Sequence, residues 1–127
     1  PVENSGHAVG ELTYWRHRGA YLVIERDWRH GPRAAFKKIY TWRPELGMAV
    51  KEEMVDLLTI QDPHLIATGE GVFTLPYLTI ESVQPVDDHT LLICNDNNYP
   101  AVGGRATDQR DDTEFILVEV EFSEGRR

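Results

Sequence analysis

Short apolar runs that end abruptly in polar residues recur along the chain. The segments Tyr21–Ile24 and Leu91–Cys94 are each followed by charged or amide side chains. Runs of this length, rich in Val, Ile, Leu and Tyr and bounded by Gly, Pro, Asp or Asn, are typical of β-strands. The turn residues Arg18-Gly19 and Asp87–His89 lie where a hairpin before each run would reverse. The pattern therefore predicts an all-β protein of antiparallel strands.

Two diverged copies of one strand module account for most of the chain. Tyr21–Trp28 aligns with Leu91–Asn98 at an offset of 70 residues, and the same offset places Glu11 on Glu81. A further β-rich stretch follows each run, and the loop before it is nine residues longer in the second copy. Each copy is therefore expected to contain three or more antiparallel strands.

The copies span about residues 8–43 and 78–123 of a single domain covering residues 1–127. Repeated antiparallel modules of this kind resemble two blades of a β-propeller. Two blades do not close a ring, so we expect association with missing blades or a homodimer that covers the open sheet edges. A small sandwich or open sheet that folds alone is the alternative. Between the copies, Val50–Leu58 has roughly helical apolar spacing and is interpreted as a strand or a short helix.

Charge narrows the classes of partner. The formal net charge is −8, with +4 on the first 43 residues and −12 on the remaining 84. An acidic protein lacks the basic footprint of general nucleic-acid binding. No run approaches the roughly 20 apolar residues needed to span a bilayer, so no membrane span is expected. Cys94 is the only cysteine, which excludes an internal disulfide.

The most informative polar cluster is Asn95-Asp96-Asn97-Asn98, directly after an apolar strand. Carboxylate and amide oxygens at a strand end suit calcium or another hard divalent cation. The alternative is an Asx turn, in which these side chains cap their own backbone.

In the first copy, Glu25 and Arg26 occupy the equivalent place. An arginine there could bind phosphate, or the two residues could belong to a structural ion pair. Recurrence of a glutamate at Glu11 and Glu81 favours a shared role, and Arg105 lies in a long polar loop. Familiar nucleophile, zinc and nucleotide-binding signatures are absent from the sequence.

Six segments together identify a family resemblance: Leu22–Asp27, Phe73–Pro76, Ile80-Glu81, Leu91–Pro100, Gly104-Arg105 and Asp111–Leu117. In this combination the chain resembles the phytase-like family, the domain described as having esterase-like activity of phytase. The resemblance runs from about Gly10 to Phe122 and looks like the C-terminal portion of that domain.

This resemblance implies a β-propeller from secreted or periplasmic bacterial proteins that hydrolyses phosphoesters or phosphodiesters with a divalent cation such as calcium. Its substrate would be a phosphorylated small molecule. Carried over by position, the implied catalytic residues are Glu25, Glu81 and Asp96, and the implied phosphate contacts are Arg26 and Arg105. From the polar cluster itself, Asn98 is a further candidate for substrate binding, and Asn95, Asp96 and Asn97 are candidates for binding the metal.

Two other functions stay open. The chain could be a non-catalytic propeller scaffold or ligand-binding segment with a structural cation site. It could also bind carbohydrate or peptide through Trp15, Trp28 and Trp42, although packing between strands is the commoner use of such tryptophans.

Overall fold

A computed structural model describes residues 2–44, 51–100 and 103–122. These residues form nine strands in three antiparallel sheets, with one short 3-10 turn at Gly31–Arg33. The strands are Ala8–Trp15 (β1), Ala20–Arg26 (β2), Lys37–Trp42 (β3), Lys51–Asp56 (β4), Ile60–Gln61 (β5), Val72–Phe73 (β6), Thr79–Pro85 (β7), Thr90–Asp96 (β8) and Phe115–Glu119 (β9).

Within each sheet, strands that are consecutive in sequence pair with each other, so the larger sheets are meanders. The first sheet has the order β1-β2-β3-β4, the second has the order β7-β8-β9, and β5 pairs with β6 alone. The predicted all-β, antiparallel fold is confirmed, and a four-stranded meander is the arrangement of a propeller blade. The segment between the two copies, for which a strand and a short helix were the alternatives, forms the strand β4. Val50, the first residue of the predicted element Val50–Leu58, lies outside the described residues. Ser123, the last residue of the second copy, also lies outside them.

The core forms between the inner faces of the two larger sheets. Side chains of a strand alternate between faces, and Leu22 and Ile24 on β2 point inward with Ile39 on β3. They pack with Ile80 and Ile93 of the second sheet in one cluster, and all five are fully buried. Burial of this apolar surface is the main force that holds the sheets together. No helix in the described ranges is long and apolar enough to cross a membrane.

Both larger sheets contain a one-residue irregularity in their first strand. It falls at Gly10 in β1 and at Glu81 in β7. Strands β2 and β8 keep the offset of 70, but β7 follows β1 at 71, so Glu11 corresponds to Ser82 and Glu81 to Gly10. The predicted alignment of the two glutamates is therefore wrong by one residue. The two-copy domain itself stays a prediction.

Strands β1 and β7 approach each other closely at the edges of their sheets. A Cβ atom at Gly10 would lie 2.6 Å from the carbonyl oxygen of Ile80, which is closer than real Cβ contacts allow. Beside it, Glu11 Oε2 accepts a hydrogen bond of 2.5 Å from the backbone N–H of Val83. Glu11 therefore satisfies an edge-strand donor that β8 does not reach.

We expect Gly10→Ala to lower the free energy of unfolding by about 1–3 kcal/mol, because the added methyl group pushes β1 away from β7. Urea denaturation measures this difference. Gly69→Ala is the matched control, since a Cβ there meets nothing within 4 Å. Equal stability of Gly10→Ala and the wild type would contradict the close approach.

Candidate functional site

The end of β2 carries two candidate residues that face opposite ways. Because neighbouring side chains on a strand alternate, Glu25 and Arg26 project from different faces of the first sheet. Arg26 reaches the second sheet, where its Nη2 lies 3.3 Å from Glu81 Oε1. Glu25 and Arg26 therefore do not contact the same side of the sheet. The structure instead pairs Arg26 with Glu81.

The guanidinium group of Arg26 is buried and incompletely paired. The residue is only 5 % exposed, and its Nε and Nη1 atoms have no hydrogen-bond partner among the described residues. Its Cζ atom lies 4.5 Å from the ring centroid of Trp28, a cation–π contact. Buried donors without acceptors are costly. The burial of two donor atoms of Arg26 is therefore not compensated by any acceptor among the described residues.

Lys37 fixes the chain around this arginine. Its side chain is fully buried, and Nζ forms an ion pair of 2.8 Å with Asp27 Oδ1. Nζ also donates to the carbonyl oxygens of Asp27, Arg29 and Leu78 at 3.0, 2.7 and 3.3 Å. Burial lowers the pKa of Lys37, and the ion pair with Asp27 offsets only part of this effect. The backbone on both sides of Trp28 is thereby held in place.

Glu25 belongs to a separate ion-pair cluster on the outer face. It is 1 % exposed and accepts hydrogen bonds from Lys51 Nζ, from His7 Nδ1 at 2.9 Å and from the Glu3 N–H at 2.5 Å. Burial alone would raise the pKa of Glu25, but these hydrogen bonds lower it below its usual value. Within the described ranges, no hydrogen bond or ion pair joins it to the other acidic candidates. Its contacts are those of a structural carboxylate.

Asn95 connects β8 to the loop that precedes β9. Its Nδ2 donates to the carbonyl oxygen of Asp112 at 3.0 Å, and its Oδ1 accepts the N–H of Glu114 at 2.7 Å. The side chain is buried, so both of its polar ends serve the fold rather than a ligand.

The rest of the cluster forms Asx turns. Asp96 Oδ1 accepts the N–H of Asn98 at 2.9 Å, and Asn97 Oδ1 accepts that of Tyr99 at 3.1 Å. Asn98 Nδ2 donates to Thr79 Oγ1 at 2.6 Å. Calcium takes six to eight oxygen ligands, and side chains engaged in this way fit such a shell poorly. In the described part of the chain, no group of three or more His, Cys, Asp or Glu residues could hold a metal ion.

Arg105 is committed to a neighbouring carboxylate. Its Nε and Nη2 atoms each lie 2.7 Å from an oxygen of Glu114, which also accepts the hydroxyl of Tyr77 at 2.5 Å. The Arg105 guanidinium stacks on Phe73 at 4.6 Å. Hydrogen bonding to Glu114 raises the pKa of Arg105, whereas burial is the main cause of the raised pKa of Tyr77. Arg105 lines an open pocket of about 410 Å³, but its strongest donors are already used.

Sequence reasoning missed Lys37 as a member of the site and named Trp28 only within an alternative binding function. Packing is the commoner use of such a tryptophan, yet Trp28 is 61 % exposed. Lys37 lies on the same face of β3 as Ile39 and Thr41, and both of these residues are buried. This register was the one available signal that its side chain points into the protein.

The fold and site define an antiparallel, all-β domain with a buried arginine and a glutamate facing each other between two sheets. The model of the Phytase-like family, described as esterase-like activity of phytase, matches residues 1–99. The match covers more than half of the chain, so this chain belongs to the Phytase-like family, and the resemblance is confirmed. The matched residues include Arg26, Glu81 and the 95–98 cluster but not Arg105. Comparisons with curated proteins and with solved structures gave no match.

Calcium binding at residues 95–98 is tested by the thermal unfolding midpoint of chelator-treated protein with and without millimolar calcium. A cation that binds only the folded state raises this midpoint. Because the side chains of this cluster already form hydrogen bonds within the protein, we expect any effect of calcium on the midpoint to be the same in the wild type and in Asp96→Ala. A rise of several degrees in the wild type alone would instead identify the cluster as a cation site.

The pKa of Glu25 predicts an acid-sensitive contribution to stability. Because its folded-state pKa is lowered, the contribution is present above the unfolded-state pKa and is lost as the pH falls through the folded-state value. We expect Glu25→Gln to lower the free energy of unfolding by about 1–3 kcal/mol near neutral pH. This deficit should shrink in acid, below the usual carboxyl pKa of about 4.

Urea unfolding across this pH range measures the deficit. Glu52→Gln is the control, since Glu52 is an exposed glutamate on β4 of the same sheet. A deficit that is equally large in acid would rule out the ionised form of Glu25 as its cause.

Proposed function

We propose that this chain is a phosphoester hydrolase-like domain in which Arg26 binds the phosphoryl group and Glu81 acts beside it. The observation that carries the proposal is the buried Arg26 guanidinium. Two of its nitrogen atoms have no hydrogen-bond partner within residues 2–44, 51–100 and 103–122, and it lies next to a carboxylate that remains 41 % exposed. Membership of the Phytase-like family gives this geometry its chemical context.

A phosphoryl group suits Arg26 because its charged oxygens can accept hydrogen bonds from the guanidinium N–H groups, and hydrogen bonds between ionised groups are the stronger ones. The neighbouring Lys37 is neutralised by Asp27 at 2.8 Å. Arg26 is therefore the cation beside Glu81 that can still accept an anion.

Glu81 is the carboxylate best placed for proton transfer. In the proposed reaction, Glu81 takes a proton from water as the water oxygen bonds to phosphorus. The phosphorus–oxygen ester bond breaks, and the leaving oxygen receives that proton. Catalytic roles for Glu25 and Asp96 stay predictions, and so do contacts of Asn98 and Arg105 with the substrate. The requirement for a divalent cation, the secreted or periplasmic location and the formation of a homodimer also stay predictions.

A scaffold function is the second candidate, and the hydrogen bonds of Asn95 and Glu25 favour it. Both side chains are buried and tie segments of the fold together. On this alternative, the acidic residues of the chain stabilise two sheets and perform no chemistry.

Hydrolysis of p-nitrophenyl phosphate and bis(p-nitrophenyl) phosphate, with and without millimolar calcium, tests the proposal. We expect Glu81→Gln to reduce kcat at least about 100-fold, as loss of a general base does. Arg26→Lys should mainly raise KM, because an ammonium group cannot supply the same donors.

Two exposed residues away from the pair provide controls. Glu70→Gln and Arg16→Lys make the same replacements and should leave both constants unchanged. Absence of turnover above the blank, or full activity of Glu81→Gln, would reject the catalytic proposal and favour the scaffold.

A further inference from the structure

Trp28 is an exposed aromatic residue on an unusually well-fixed backbone. Its ring is 61 % exposed, although large aromatic side chains are generally buried. Lys37 holds the carbonyl groups on both sides of it, and Asp27 Oδ1 accepts the N–H of Arg29 at 3.3 Å. The exposure of Trp28 therefore does not result from a loosely attached loop.

The indole ring lies over the group that has the unpaired donors. The Arg26 Cζ atom is 4.5 Å from the ring centroid, while Arg26 Nε and Nη1 are closed off from solvent. An anion that reaches these donors must displace or slide past the ring. The organic part of the same molecule then meets the large solvent-facing surface of Trp28.

We propose that Trp28 is a specificity-determining residue that selects phosphate esters with a flat aromatic organic group, which stacks on the indole while the anion binds Arg26. The inference rests on the proposed function for the anion at Arg26, but it concerns binding and needs no turnover. Flat aromatic rings pack on tryptophan in offset-stacked or edge-to-face arrangements that match the negative face of one ring to the positive edge of the other.

Phosphonates separate binding from hydrolysis, because their carbon–phosphorus bond replaces the ester bond. Calorimetric titration compares phenylphosphonate, cyclohexylphosphonate and methylphosphonate. We expect phenylphosphonate to bind about 10-fold more tightly than methylphosphonate, a factor within the range of base–aromatic stacking. Cyclohexylphosphonate, of similar size but not flat, should bind clearly more weakly than the phenyl compound.

Variants assign the two halves of the site. Trp28→Ala should bind all three phosphonates alike, and Trp28→Phe should keep part of the preference. Arg26→Gln should lose all three, with Arg26→Lys as the variant that retains charge in case the first does not fold by circular dichroism. Arg16→Gln is the charge-matched control, since it lies in the turn at the opposite end of the β1–β2 hairpin.

Each outcome separates this inference from the catalytic proposal. Equal binding of phenyl- and methylphosphonate, or of phenyl- and cyclohexylphosphonate, would overturn the role of Trp28 even if hydrolysis were present. Selective binding that depends on Trp28 and Arg26 would support it even if no ester were hydrolysed. Unchanged binding in Arg26→Gln, or no binding by the wild type, would also overturn it.

Discussion

The buried ammonium group of Lys37 is the interaction on which the candidate site depends. It joins β3 to the segment after β2, through Asp27 and Arg29, and to the segment before β7, through Leu78. A charge in this position is strongly unfavourable without partners, and four oxygens within 3.3 Å compensate it here. The same contacts place Trp28 over Arg26, so the stability of the fold and the geometry of the site have a common cause.

The two sheets also meet along β1 and β7, and this contact sets the distance between Arg26 and Glu81. Gly10 allows the backbones to approach, and Glu11 accepts a hydrogen bond from the N–H of Val83. At the far end of the same edge, Trp15 Nε1 donates to the carbonyl oxygen of Asp87 at 2.8 Å. Polar contacts at both ends of this edge and apolar burial between them fix the position of one sheet relative to the other. A displacement of either sheet along this edge would break both polar contacts and expose the apolar surface.

The sequence predicted the strands well because apolar periodicity and turn residues are local signals. It predicted Arg26 and Glu81 as site residues, and the structure brings them together. Alternation along β2 separates Glu25 from Arg26, but the sequence could not show which of the two faces the second sheet, because this depends on which face of the first sheet is covered. The amide oxygens of Asn95 and Asn97 were equally ambiguous, since the same oxygen can bind a cation or cap a backbone N–H.

Counted between equivalent paired residues, the connection between β7 and β8 is one residue shorter than that between β1 and β2, which explains why alignment of the two copies paired Glu81 with Glu11. Ile80 and Val83 are both buried in the core although they are three residues apart, which strict alternation does not permit. The extra residue between Ile80 and Ser82 is Glu81 itself. Bulges redirect side chains and occur often beside active sites. Because the corresponding extra residue in β1 is Gly10, which has no side chain, only the second sheet contributes a carboxylate, and only β2 of the first sheet contributes the arginine that meets it.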